Sequence, residues 1–211
     1  RLKQIFEFNR VELMDQKGIY ATATDISIAS LYNTIYKPQL AEKVRRGHDN
    51  AVVNGKIPGS YAYGYRPTPG APGERSIDEN EAKIVLRIFE EYAAGRSTRN
   101  IAADLTREGV PTPGATRLKN KVGRTIWNHQ CITGGRNGRG ILGNELYVGV
   151  IHWNVRSTIL NPETQKKQKR RNREEHHIMV MKPELRIVPQ KLWDMTQKLR
   201  SERAVRMFGP S

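Results

Sequence analysis

The side chains best suited to chemistry in this 211-residue chain are hydrogen-bond donors and cations rather than nucleophiles. Arg124, Thr125, Asn128 and His129 cluster around Trp127. Arg and Asn are the side chains whose donor and acceptor geometry matches guanine and adenine edges in a major groove. At helical spacing, positions 124, 125 and 128 share a face, while Trp127 points elsewhere, toward a core. Nearby Arg117, Lys119, Lys121, Arg136 and Arg139 can hold phosphates, with Arg45, Arg46 and Arg99 as further cationic candidates. A second constellation runs from Gly55 to Tyr65. Its small residues, Lys56, and the flat faces of Tyr63 and Tyr65 suit an extended arm lying in a minor groove. The same composition also suits a linker that packs its tyrosines on its own domain.

Other groups carry less. Glu174, Glu175, His176 and His177 are metal-ligating types, but adjacent side chains diverge in either regular structure, so a solvated loop is expected. His48 and Asp49 are similarly bland, and there is no phosphate-binding loop of the Walker type. No catalytic residue, metal ligand or cofactor is assigned.

These side chains need elements to position them. Residues 4–17 have a loose helical pattern that Gly18 can end. Residues 19–24 are β-prone, and Asp25 is a plausible cap for the next helix. That long helix is expected over 27–54, kinking or restarting at Pro38, where proline removes a backbone donor. Residues 55–73 read as an extended linker. Asp78 can cap a helix, with Glu81 three residues on as in a capping box, and Gly95 stops it. Ser97 caps a second helix that ends at Gly109. A basic loop leads to a third helix expected over 125–132, entered by Trp127. Beyond a glycine-rich interruption lie strands over 147–155 and 178–181, with a charged hairpin loop between them, then an amphipathic helix over 189–203.

The fold class expected is mainly α with a small β portion: a helix-turn-helix-like unit preceded by a long linking helix and followed by a C-terminal strand and helix segment. A plain three-helix core remains the alternative. The expected divisions are 1–54, 55–75, 76–146 and 147–211.

Thirty-six Lys and Arg against 21 Asp and Glu give a net +15, a field that attracts polyanions. The charge is segregated. Residues 110–173 hold thirteen basic and two acidic side chains, whereas residues 78–108 hold five basic and seven acidic ones. A near-neutral scaffold with a cationic edge is what double-stranded DNA as partner requires. Cys131 is the sole cysteine, which excludes a disulfide framework and suits a reducing cytoplasm. No apolar run approaches a membrane span, so no membrane partner is expected.

Ordered motifs add a resemblance. Leu40-Ala41-Glu42-Lys43-Val44-Arg45-Arg46-Gly47, Gly55-Lys56 and Tyr63-Gly64-Tyr65 resemble the junction between catalytic and recombinase domains in large serine recombinases. Ile77-Asp78, Glu81-Ala82, Ile88-Phe89, Gly95, Ile101-Ala102 and Leu105 resemble the opening of their recombinase domain. Trp127 and the run Gly140 to Gly149 resemble its end, and Leu185-Arg186-Ile187-Val188 with Leu192-Trp193 recur just ahead of a zinc ribbon. The resemblance implies a site-specific recombinase of bacterial or phage origin, acting in the cytoplasm. Such enzymes cut and rejoin DNA through serine–phosphate linkages, so neither ATP nor metal is required. It also implies a homodimer on DNA and a tetramer in the synaptic complex. The nucleophilic serine is expected outside these residues, and the chain is expected to be an inactive fragment. The competing expectation is a non-enzymatic helix-turn-helix regulator, which has no need of the resolvase-like lead-in.

Overall fold

The computed structural model describes residues 8–10, 23–59, 61–117, 126–135 and 140–208. Most of the helix expected over 4–17, and residues 19–22, lie outside them. The chain divides into two compact units, 1–48 and 49–211, and the division falls within a helix.

In the first unit, α1 (Ala23–Leu31) runs into a π-helical turn (Tyr32–Tyr36) and then α2 (Lys37–Val53), whose residues from Asp49 on are counted with the second unit. Ala23 and Thr24 are therefore helical, not extended, and Asp25 sits inside the first turn rather than before it. A carboxylate there still faces the positive end of the helix. The helix is not cut at Pro38. The turn ahead of it widens instead, so that Lys37 N–H reaches back five residues to Tyr32 O. Pro38 then lies in the first turn of α2, where a missing donor matters least.

In the second unit, β1 (Tyr65–Pro67) pairs antiparallel with β2 (Arg75–Ile77). Next come α3 (Glu79–Ala93), α4 (Thr98–Arg107), α5 (Pro113–Arg117) and α6 (His129–Thr133). Then β3 (Val150–Trp153), β4 (Arg156–Leu160), β5 (Lys167–Arg171) and β6 (Ile178–Met181) precede α7 (Gln190–Phe208). The outer strands β3 and β6 pair antiparallel, and so do β4 and β5 between them. The result is mainly α with a small β portion.

The start of α3 is fixed locally. Asp78 Oδ1 accepts from the N–H groups of Asn80 and Glu81. Glu81 does not return to the cap as a capping box would have it. Its Oε2 accepts from Gly64 N–H at 2.7 Å, and Asp78 N–H donates to Gly64 O at 2.9 Å. Gly64 has φ +90°, and a Cβ there would press on Ile187 at 3.0 Å, so glycine is needed for this approach.

One core draws on residues from Tyr63 to Trp193. Val85, Ile88, Phe89 and Tyr92 of α3 meet Ile101 and Leu105 of α4, Ile132 of α6 and Trp193 of α7. Tyr147 O accepts from both Ile187 N–H and Val188 N–H, at 2.9 and 2.8 Å. Arg203 on α7 stacks over the Tyr92 ring at 4.5 Å and donates to Gly95 O, satisfying a carbonyl left over at the end of α3.

Two further expectations need correction. The strand read over 147–155 begins only at Val150, because Asn144 caps a 3₁₀ turn over Glu145–Val148 and Gly149 follows it in the left-handed conformation. The third helix begins at His129, not at 125, because Asn128 is its N-cap.

Candidate nucleic-acid interface

The arm from Gly55 to Tyr65 is part of the body, not a free extension. Tyr63 and Tyr65, read as groove-facing, are 4% and 0% exposed. Tyr65 hydroxyl donates toward Leu146 O and Leu185 O, at 2.9 and 2.8 Å, and its ring stacks on Tyr147. Tyr63 hydroxyl donates to Pro111 O at 3.1 Å, and its ring meets Trp127 edge-on at 5.5 Å. Burial pushes both phenols above the ordinary tyrosine range. A large ring beside small residues gains more from the core than from a groove. Arg75 fastens the start of the arm by donating to Ile57 O and Gly59 O, at 2.9 and 2.8 Å. Lys56 remains exposed.

Trp127 is buried, as its position relative to the polar cluster implies. It precedes α6 rather than opening it. Its indole N–H donates to Val110 O at 2.9 Å, and its backbone N–H donates to Thr106 Oγ1 at 3.0 Å. Asn128 is exposed, but its Oδ1 accepts from Gln130 N–H at 2.9 Å. Bidentate reading of adenine needs both the oxygen and the nitrogen of the amide, so the capping bond competes with that role. His129 is half-buried, and Arg99 is exposed near the start of α4. Arg45 and Arg46 are exposed on α2 in the first unit, with Glu42 3.5 Å from Arg45. Lys119, Lys121, Arg124, Thr125, Arg136 and Arg139 lie outside the described residues, as does the side chain of Arg117.

Three arginines of the scaffold are matched by carboxylates. Arg87 makes a two-pronged contact with Glu108, at 2.5 and 2.8 Å, and also meets Glu91. Arg96 bridges Glu91 and Asp104, and Arg107 meets Asp104 at 2.7 Å. The Arg96 hydrogen bond holds the Asp104 carboxyl below its usual range, and Arg87 does the same for Glu108.

A cationic feature missed among the candidate residues is the β4–β5 ribbon. Every residue of both strands is exposed. Its register pairs Arg156 with Arg171, Thr158 with Lys169 and Leu160 with Lys167. Alternation puts these six residues on one face, with Ser157, Ile159, Gln168 and Arg170 on the other. Asn172 anchors the base by donating from its amide to Asn154 O at 2.7 Å and accepting from Ser157 Oγ at 2.8 Å. At the tip, Asn161 Oδ1 accepts from Glu163 N–H and Thr164 N–H. The run from Lys166 to Arg173 signals charge in the sequence, but only the strand pairing shows that Lys167, Lys169 and Arg171 share a face while Arg170 lies on the other. Among the described residues there is no cluster that could hold a metal ion, and no helix is long and apolar enough to cross a membrane.

Comparison with known families gives a match to Recombinase over residues 79–203. Those limits run from the first residue of α3 to the arginine that stacks on Tyr92. Searches of curated proteins and of solved structures found no match.

Proposed function

The chain belongs to the Recombinase family, and on that premise we propose that it is the DNA-binding portion of a site-specific serine recombinase. The family implies site-specific recombination with DNA as the partner. The observation that carries the finer reading is the division of labour in the second unit. Arg87, Arg96 and Arg107 of its helices are held by carboxylates of the same scaffold, while the many cations from residue 117 to residue 173 are set against only two carboxylates in that stretch. That surplus suits a phosphate-facing surface. Exposed Lys56 and Arg99 belong to the same reading, and Arg45 and Arg46 of the first unit are proposed as phosphate contacts of their own.

The reaction in this reading is attack of a serine hydroxyl on a backbone phosphate. A phosphoserine ester forms, a deoxyribose hydroxyl leaves, and the reverse attack by a new strand end restores both. The ester conserves the bond energy, so the step requires no nucleotide hydrolysis. The nucleophile belongs to a part of the protein beyond these residues, and the full assembly is a dimer on each site and a tetramer at synapsis. These 211 residues therefore bind duplex DNA without cutting it. Incubating the chain with DNA carrying the site, then separating under denaturing conditions, tests this. Retention on native gels with no covalent protein–DNA adduct is expected. An adduct formed by this chain alone overturns the assignment of the nucleophile.

A further inference from the structure

The β4–β5 ribbon poses a physical problem. Two strands exposed on both faces form a marginal structure in water. Like charges directly opposite across an antiparallel pair weaken it further, and here Arg156 faces Arg171. Between residues 156 and 173 there are seven cations and one carboxylate, Glu163 at the tip. Arg171 meets Glu174 at 3.2 Å, but both side chains are largely exposed, and such pairs contribute little. The Asn172 anchor and the Asn161 turn nevertheless hold the ribbon in one register. Its cations cannot serve a core, since none of these strand residues is buried.

We propose that the ribbon face bearing Arg156, Lys167, Lys169 and Arg171 is a sequence-independent clamp for the sugar–phosphate backbone of duplex DNA. The proposal rests on the DNA-binding reading above and adds a site to it. Alternate residues on a strand recur about every 6.7 Å. Lys167, Lys169 and Arg171 thus form a row of evenly spaced charges, suited to the evenly spaced phosphates of one strand rather than to an irregular acidic protein surface. The lysines are point charges on flexible stems, suited to phosphate contact and not to reading bases. Base reading falls to other parts of the chain, and the ribbon contributes affinity and salt dependence.

The test compares two triple variants of the 211-residue chain with equal charge change. One carries Lys167→Gln, Lys169→Gln and Arg171→Gln on the ribbon. The other carries Lys83→Gln, Lys191→Gln and Lys198→Gln, exposed positions on the supporting helices. Binding to a fluorescent duplex of arbitrary sequence is followed across a salt series. The ribbon triple should bind at least about tenfold more weakly at low salt and lose about two to three units of log–log slope, at ~0.9 per phosphate. The helix triple should stay within about one unit of the parent. Equal slopes for the two triples overturn the clamp while leaving DNA binding intact. A parent chain that does not bind duplex at all overturns the functional reading and the clamp with it. Acetylation of lysine amines in the unaltered chain gives an answer that needs no variant. DNA should protect Lys167 and Lys169 and leave Lys198 reactive; equal labelling with and without DNA overturns the proposal.

Discussion

The α3–α4 scaffold and the β4–β5 ribbon use the same kinds of cation for opposite purposes. On the scaffold, Arg87, Arg96 and Arg107 each meet a carboxylate, and Glu91 and Asp104 are each shared between two arginines. On the ribbon, cations stand beside cations on one exposed face. Net charge alone does not separate these cases. Geometry does: an arginine locked between carboxylates belongs to folding, and a one-sided row of cations is available for binding.

The largest test of this contrast removes a scaffold residue inside the basic region. Trp127→Ala deletes a buried ring and its bond to Val110 O, and should cost ~3–5 kcal/mol in denaturant unfolding. The folded fraction should keep the parent's salt slope. A variant as stable as the parent would move Trp127 out of the core and blur the line between the two regions.

A smaller effect is expected from Tyr65→Phe. It leaves Leu146 O and Leu185 O without their shared hydroxyl donor, for a loss of about 1–3 kcal/mol. DNA affinity of the folded protein should not change. Weaker binding at unchanged stability would return the Gly55–Tyr65 segment to the DNA surface.

The smallest effect concerns acid. Asp104 and Glu108 are held below their unfolded range by Arg96 and Arg87. Their contribution is therefore present above the ordinary carboxylate range, at neutral pH included, and is lost as pH falls through the lowered folded values. Replacing Arg87 and Arg96 with glutamine should flatten that acid loss of thermal stability, slightly because the pairs are solvent-screened. Ribbon substitutions should leave the acid limb unchanged. A ribbon variant with the flatter acid limb would mean that its cations also support folding.

Local chemistry made much of the scaffold legible. Asp78, Gly95, Ser97 and Gly109 mark the ends of α3 and α4 because caps and left-handed stops are decided within a few residues. The arm was not legible, because Tyr65 finds its carbonyl partners 81 and 120 residues away. Glycine and tyrosine composition is the same in a linker as in a tightly packed approach. The ribbon was hidden for another reason. Arg156–Leu160 and Lys167–Arg171 lack the apolar alternation that marks a half-buried strand, since neither face is buried. Charge counting found the region without finding its face. In the candidate reading cluster, the amide of Asn128 is engaged in capping α6, which starts just after the buried Trp127.

The Asn154–Asn172 anchor has a consequence for inheritance. The chain enters and leaves the ribbon through one polar knot, beyond which no strand residue contributes to the core. Insertions, deletions and charge changes past that gate leave the packing of the body untouched. The ribbon is therefore an exchangeable cassette. Its length can drift between relatives, or be swapped by design, while the scaffold that carries it is held by its own packing.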